Sequence, residues 1–176
     1  MILRKFIPLI LVITFCSFTG QSQTDYNTVK KIQQYFQEIN SDKNLETVSL
    51  ENNAFPENTS DSECKLTGFF KLGSIEKIDE RIGVSSGNRF RAYYFNDNKL
   101  IFVYERFETF IKNKDGDGLD HKKTKTTFEG WYYFNNNQII KQEIYGKRTV
   151  ENNPPDMYLE LNETAKKNIR LLTVRK

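Results

Sequence analysis

The residues from Asn113 to His121, Asn-Lys-Asp-Gly-Asp-Gly-Leu-Asp-His, have the types and spacing of a calcium loop. Oxygen donors at alternating positions, followed by glycine, let a chain curl around a hard cation. Taking Asn113 as the first position makes Asp115 the third, Asp117 the fifth, Gly118 the sixth and the Leu119 carbonyl the seventh. The twelfth position, where a bidentate glutamate closes such loops, is Thr124, and Lys114, Lys122, Lys123 and Lys125 add repulsion. The expectation is an exposed connection between two hairpins, with Asn113, Asp115, Asp117 and Leu119 as a weak calcium set and no other cofactor.

Aromatic residues supply a second kind of chemistry. Tyr93, Tyr94, Phe95, Phe102, Tyr104, Trp131, Tyr132, Tyr133 and Phe134 crowd two short segments. Successive side chains of a strand face opposite sides, so Tyr94 cannot share a core with both Tyr93 and Phe95. Some of these rings must meet water, a second layer or a ligand. Tyr93, Tyr94, Tyr104, Trp131, Tyr132 and Tyr133 are therefore the expected partner or ligand surface, suited to stacking on sugars or anchoring a protein.

Catalytic constellations are sparse. His121 is the single histidine, and Cys64 is the only cysteine besides Cys16, so a nucleophile–histidine pair or a zinc site has almost nothing to be built from. Cys64, between Glu63 and Lys65, reads as a small buried hydrophobe. No phosphate-binding glycine loop or dinucleotide fingerprint occurs. Acids are plentiful, including Glu76, Asp79, Glu80, Glu105 and Glu108, but they alternate with lysine and arginine and show no paired arrangement of the kind glycoside hydrolysis needs.

The elements that would position these residues follow from a repeat. Tyr93-Tyr94-Phe95-Asn96-Asp97-Asn98-Lys99-Leu100-Ile101 recurs 39 residues later as Tyr132-Tyr133-Phe134-Asn135-Asn136-Asn137-Gln138-Ile139-Ile140. In each copy an aromatic run reaches an Asn-rich corner and resumes with apolar residues, the pattern of a hairpin. Further strands are expected at 45–51, 63–70 and 74–82, with a loop at 52–62. Ile75, Ile78 and Ile82 also fit one face of a helix. Val29, Ile32, Phe36 and Ile39 predict a helix over about 25–40 capped by Thr24 or Asp25, and Tyr158, Leu161, Ala165, Ile169 and Leu172 predict another over about 156–172, begun by Pro154-Pro155-Asp156. The whole reads as a single α+β domain, an antiparallel sheet of about six or seven strands flanked by an N-terminal and a C-terminal helix.

Residues 1–22 read as a secretory signal peptide: Arg4 and Lys5 precede an apolar run from Phe6 to Phe18, and Gly20 with Ser22 offers a cleavage site before Gln23. The run is too short to span a membrane, and Phe15 before Cys16 argues against lipid attachment there. Cleavage removes two of the 26 basic residues and none of the 23 acidic ones, for a net charge near +1. A balance so close to neutral gives no electrostatic reason to expect nucleic acid as a partner.

The run Tyr93 to Glu105, preceded by Lys77-Ile78 and the Gly83 to Gly87 stretch, resembles a pattern in small exported proteins of Bacteroidetes-type bacteria. The resemblance covers about residues 65–145 and implies a periplasmic or secreted location without transferring an activity or a site. The sequence thus predicts an exported, non-catalytic binding module for an envelope or extracellular protein. The alternatives are a small-molecule or glycan-binding domain and, third, a carboxylate-dependent hydrolase.

Overall fold

A computed structural model describes residues 20–52, 63–113, 118–147 and 156–174, with the side chains of 20–24 left aside. Its elements run α1 (Gly20–Ser41), β1 (Glu46–Glu51), β2 (Cys64–Lys71), β3 (Ser74–Val84), β4 (Gly87–Asn96), β5 (Lys99–Lys112), β6 (Leu119–Asn135), β7 (Gln138–Gly146) and α2 (Met157–Thr173). The strands form one seven-stranded antiparallel sheet in the order β1-β2-β3-β4-β5-β6-β7. Each strand pairs with its sequence neighbour, so the sheet is a simple meander. This is the expected α+β architecture.

The two helices lie on opposite faces of the sheet. Tyr93, Val103, Tyr132 and Phe134 join Leu161, Ala165 and Leu172 of α2 in one core, while Tyr94, Phe102 and Tyr133 join Val29, Ile32 and Ile39 of α1 in another. This division explains the Tyr-Tyr-Phe runs: a strand buried on both faces is apolar continuously and not alternately. Phe36 fixes α1 by meeting Tyr94 and Phe102 edge-on, with ring centroids 5.1 and 5.5 Å away. Among the described residues no helix is long and apolar enough to cross a membrane.

The Asn-rich corners are two-residue turns in which both central residues take positive φ: Asp97 (49°) and Asn98 (59°), then Asn136 (47°) and Asn137 (64°). That is the hairpin turn whose twist matches the strands it joins, and Asn tolerates it. In each hairpin the register slips just beyond the turn. Tyr94 faces Phe102 while Phe95 faces Leu100, leaving Ile101 as an extra residue; Tyr133 faces Lys141 while Phe134 faces Ile139, leaving Ile140.

The β2–β3 hairpin repeats this geometry. Leu72 (φ 49°) and Gly73 (φ 86°) make its turn, and Phe69 faces Lys77 while Phe70 faces Ile75, which leaves Glu76 as the bulged residue. The bulge explains why Ile75 and Ile78 are three apart yet both buried on the α2 side, a spacing that mimics a helix in the sequence. Leu72 is 98% exposed and packs nothing, so its left-handed backbone costs about 1 kcal/mol without return. Leu72→Asn should therefore raise the melting temperature by about 3 °C. An unchanged or lowered melting curve would show that this turn is not under strain.

One helix boundary differs from expectation and another agrees. α1 is already helical at Gly20, so Thr24 and Asp25 lie inside it and neither caps it. No proline interrupts residues 20–24, and Gln21 and Gln23 are adequate helix formers. At α2 the Asp156 side chain does act as cap, accepting from the Leu159 N–H at 3.0 Å. The two prolines before it, residues 1–19 with the greater part of the expected signal peptide and Cys16, and residues 53–62 of the expected loop lie outside the described residues.

Candidate functional site: a cleft between the first helix and the sheet

α1 covers only part of its face of the sheet. Three rows of facing residues cross β4, β5, β6 and β7 there: Tyr94, Phe102, Tyr133 and Lys141; then Ala92, Tyr104, Trp131 and Glu143; then Phe90, Arg106, Glu129 and Tyr145. Successive rows are about 7 Å apart, two residues of strand rise. Tyr94, Phe102 and Tyr133 of the first row lie beneath α1. Where the helix ends its cover, a cleft of about 340 Å³ opens between Ile32, Gln33, Phe36 and Gln37 of α1 and Phe102, Trp131 and Tyr133 of the sheet.

None of these lining side chains carries a charge. Four of the seven are aromatic, and the amides of Gln33 and Gln37 add two groups that both donate and accept hydrogen bonds. The Gln33 amide donates to the Tyr133 hydroxyl at 3.4 Å. Trp131 is half-buried and held on two sides, by Tyr104 with centroids 5.2 Å apart and by Tyr145 edge-on at 5.6 Å. Tyr104 is itself fixed, its hydroxyl donating to Glu129 at 2.6 Å. Burial, reinforced by that hydrogen bond to a carboxylate, pushes the Tyr104 hydroxyl up to about 12, so it stays a neutral donor at physiological pH. The indole is thus presented in one orientation on a rigid strand.

The structure divides the six expected surface aromatics. Trp131 and Tyr133 line the cleft and Tyr104 supports it. Tyr94 is buried beneath α1, where its hydroxyl donates to Asn40 at 3.0 Å. Tyr93 and Tyr132 are fully buried on the opposite face and belong to the core under α2, a correction that follows from strand alternation. Gln33, Gln37 and Phe36 were not legible as site residues: the glutamines read as the solvent side of an amphipathic helix and the phenylalanine as core.

The remaining candidates are accounted for locally. Asn113 donates its backbone N–H to the Gly118 carbonyl at 3.1 Å, and Leu119 opens β6; Asp115 and Asp117 lie outside the described residues. Among the described residues no group of three or more histidine, cysteine or acidic side chains is placed to hold a metal. His121 packs its ring on Phe110 at 4.6 Å. Cys64 is buried, as its neighbours suggested, and burial pushes its thiol up and away from reactivity.

The acids are engaged elsewhere. Glu76 accepts from the Tyr35 hydroxyl at the edge of a second cavity of about 470 Å³, where Asp42 pairs with Lys71 at 2.9 Å. Asp79 pairs with Lys77 at 2.9 Å and Glu108 with Arg106 at 3.1 Å. Glu80 and Glu105 are buried under α2. There Arg91 donates to Glu105 at 3.0 Å and to Glu160 of α2 at 2.9 Å, and Asn168 of α2 donates to Glu80 at 3.0 Å. These contacts join α2 to the sheet.

No protein family, curated protein or solved structure matches this chain.

Proposed function

We propose that this chain is an exported, non-catalytic binding module that takes a neutral ring-bearing ligand, a glycan unit or a small molecule like it, in the cleft between α1 and the sheet. The observation that carries this reading is the lining itself: an uncharged aromatic floor around Trp131, faced by two amides. A sugar ring presents apolar C–H groups to an aromatic face and hydroxyls at its rim. The floor and the glutamines offer complements to each. A charged ligand would lose its hydration there without a counter-charge. No acid lines the cleft, so carboxylate-dependent hydrolysis has no residues to run on at this position. Export rests on residues 1–22 and the resemblance to small exported proteins.

Trp131 is the only tryptophan, so its fluorescence reports on this cleft alone. Titration with a panel of soluble neutral envelope glycans should give a saturable change in that emission. By calorimetry, Gln37→Ala should weaken the same ligand about tenfold, the worth of one hydrogen bond. The absence of a saturable change across the panel would overturn the glycan reading. Capture of a protein that protects Tyr145 and Trp131 would instead favour a protein partner, since Tyr145 beside the indole is 62% exposed.

A further inference from the structure

We infer that two copies of this chain pair edge to edge through β7, related by a twofold axis that passes through Gln142 perpendicular to the sheet. β7 pairs with β6 on one side, and among the described residues no strand covers its other edge. An open edge is a template for another strand, and what decides whether it accepts a second copy of itself is the charge pattern it presents. β7 carries two charged residues, Lys141 and Glu143, which point to the same face and pair with each other at 2.6 Å. An antiparallel twofold centred on Gln142 sets each Lys141 across from the Glu143 of the other copy, twice over. Centring on Lys141 or on Glu143 would instead oppose like charges. β7 is therefore self-complementary in one register.

The opposite edge of the sheet has no such pattern. The charged residues of β1 are Glu46 and Glu51, both acidic, so no register gives it an opposite-charge pair with itself. β7 also leaves Ile144 and Tyr145 exposed at 47% and 62%, on opposite faces of its final residues. Large apolar side chains on both faces of an uncovered edge fit a strand that is meant to be covered. An isologous pair closes on itself and leaves only the acidic β1 edges outermost, which protects against open-ended growth.

The pairing gives one continuous fourteen-stranded sheet, seven strands from each copy, with both α1 helices on the same side. Both clefts then open on one face. If the cleft binds as proposed above, a repetitive ligand engages two sites at once and gains avidity without any new contact.

Sedimentation of the purified protein across a concentration series should show a monomer–dimer equilibrium. Lys141→Glu and Glu143→Lys should each weaken the dimer about tenfold or more, because each turns two attractive cross-strand pairs into two repulsive ones. A mixture of the two variants should form a heterodimer, and the double swap in one chain should restore the homodimer. A wild-type protein that stays monomeric throughout overturns the proposal, as do single variants that dimerise normally or a mixture that fails to pair. Both side chains are more than two-fifths exposed, so the variants should fold, which circular dichroism checks. The wild-type protein should bind a monovalent sugar with the same single-site affinity below and above the concentration at which it dimerises, so failure of the dimer and failure of the cleft are read separately.

Discussion

Arg91→Met should cost about 3–5 kcal/mol of folding stability, among the largest losses available to a single substitution in this chain. Arg91 is 3% exposed and stands between two carboxylates, Glu105 at 3.0 Å and Glu160 at 2.9 Å, with the Tyr93 hydroxyl at 3.5 Å. Glu105 is 1% exposed. Removing the guanidinium takes from that buried carboxylate the positive charge 3.0 Å away, and it breaks the ion pair that joins Glu160 in the first turn of α2 to the sheet. The pair as a whole adds far less than either half costs to remove, because taking both charges out of water consumes most of their attraction. Arg91→Met together with Glu105→Leu should therefore recover a large part of the loss. Denaturant unfolding followed by circular dichroism checks both variants. A double variant no more stable than Arg91→Met would mean that the damage comes from Glu160 and α2 and not from the buried Glu105 carboxylate.

The same network shows where the sequence stops being readable. The aromatic repeat, with its Asn-rich corners, identifies two hairpins directly because turn chemistry is local: positive φ at 97–98 and at 136–137 favours Gly, Asn and Asp, and Asp97, Asn98, Asn136 and Asn137 supply it. The third hairpin is expected from strands at 63–70 and 74–82 but reads less plainly, because Leu72 and Gly73 meet the same backbone requirement with different residues, one of them under strain, and because Ile75, Ile78 and Ile82 also fit a helix. Tyr93, Tyr94 and Phe95 announce that both faces are buried, but which helix covers which face depends on long-range packing. Arg91, Glu105 and Glu80 look like an ordinary alternation of surface charges. Only the descent of α2 onto that face, bringing Glu160 and Asn168, makes them interior. The cleft is legible by half for a similar reason: Trp131 stands out by type, whereas Gln33 and Gln37 become a wall only when α1 is laid across the first aromatic row.

Gly87→Ala should destabilise the fold by about 2–4 kcal/mol through a clash that is purely steric. Gly87 opens β4 opposite Thr109, and a Cβ placed there would lie 2.0 Å from the Glu108 carbonyl oxygen and 3.0 Å from the Thr109 Cα. Both atoms are backbone, so no rotamer change relieves the contact; β4 and β5 must separate. Their separation loosens the bond from the Phe110 N–H to the Ser86 carbonyl, 2.9 Å long, at the point where β5 runs on past β4 paired with β6 alone. Gly73 is the contrasting case. It has φ 86° and nothing within 4 Å of an added Cβ, so Gly73→Ala carries only the conformational cost of a left-handed residue, about 1 kcal/mol. Hydrogen exchange separates the two mechanisms. Gly87→Ala should speed exchange at the Phe110 amide, whereas Gly73→Ala should lower the global stability slightly and leave that amide's relative protection unchanged. If Phe110 exchanges equally in both variants, β5 has moved aside without unpairing and its end is held by β6.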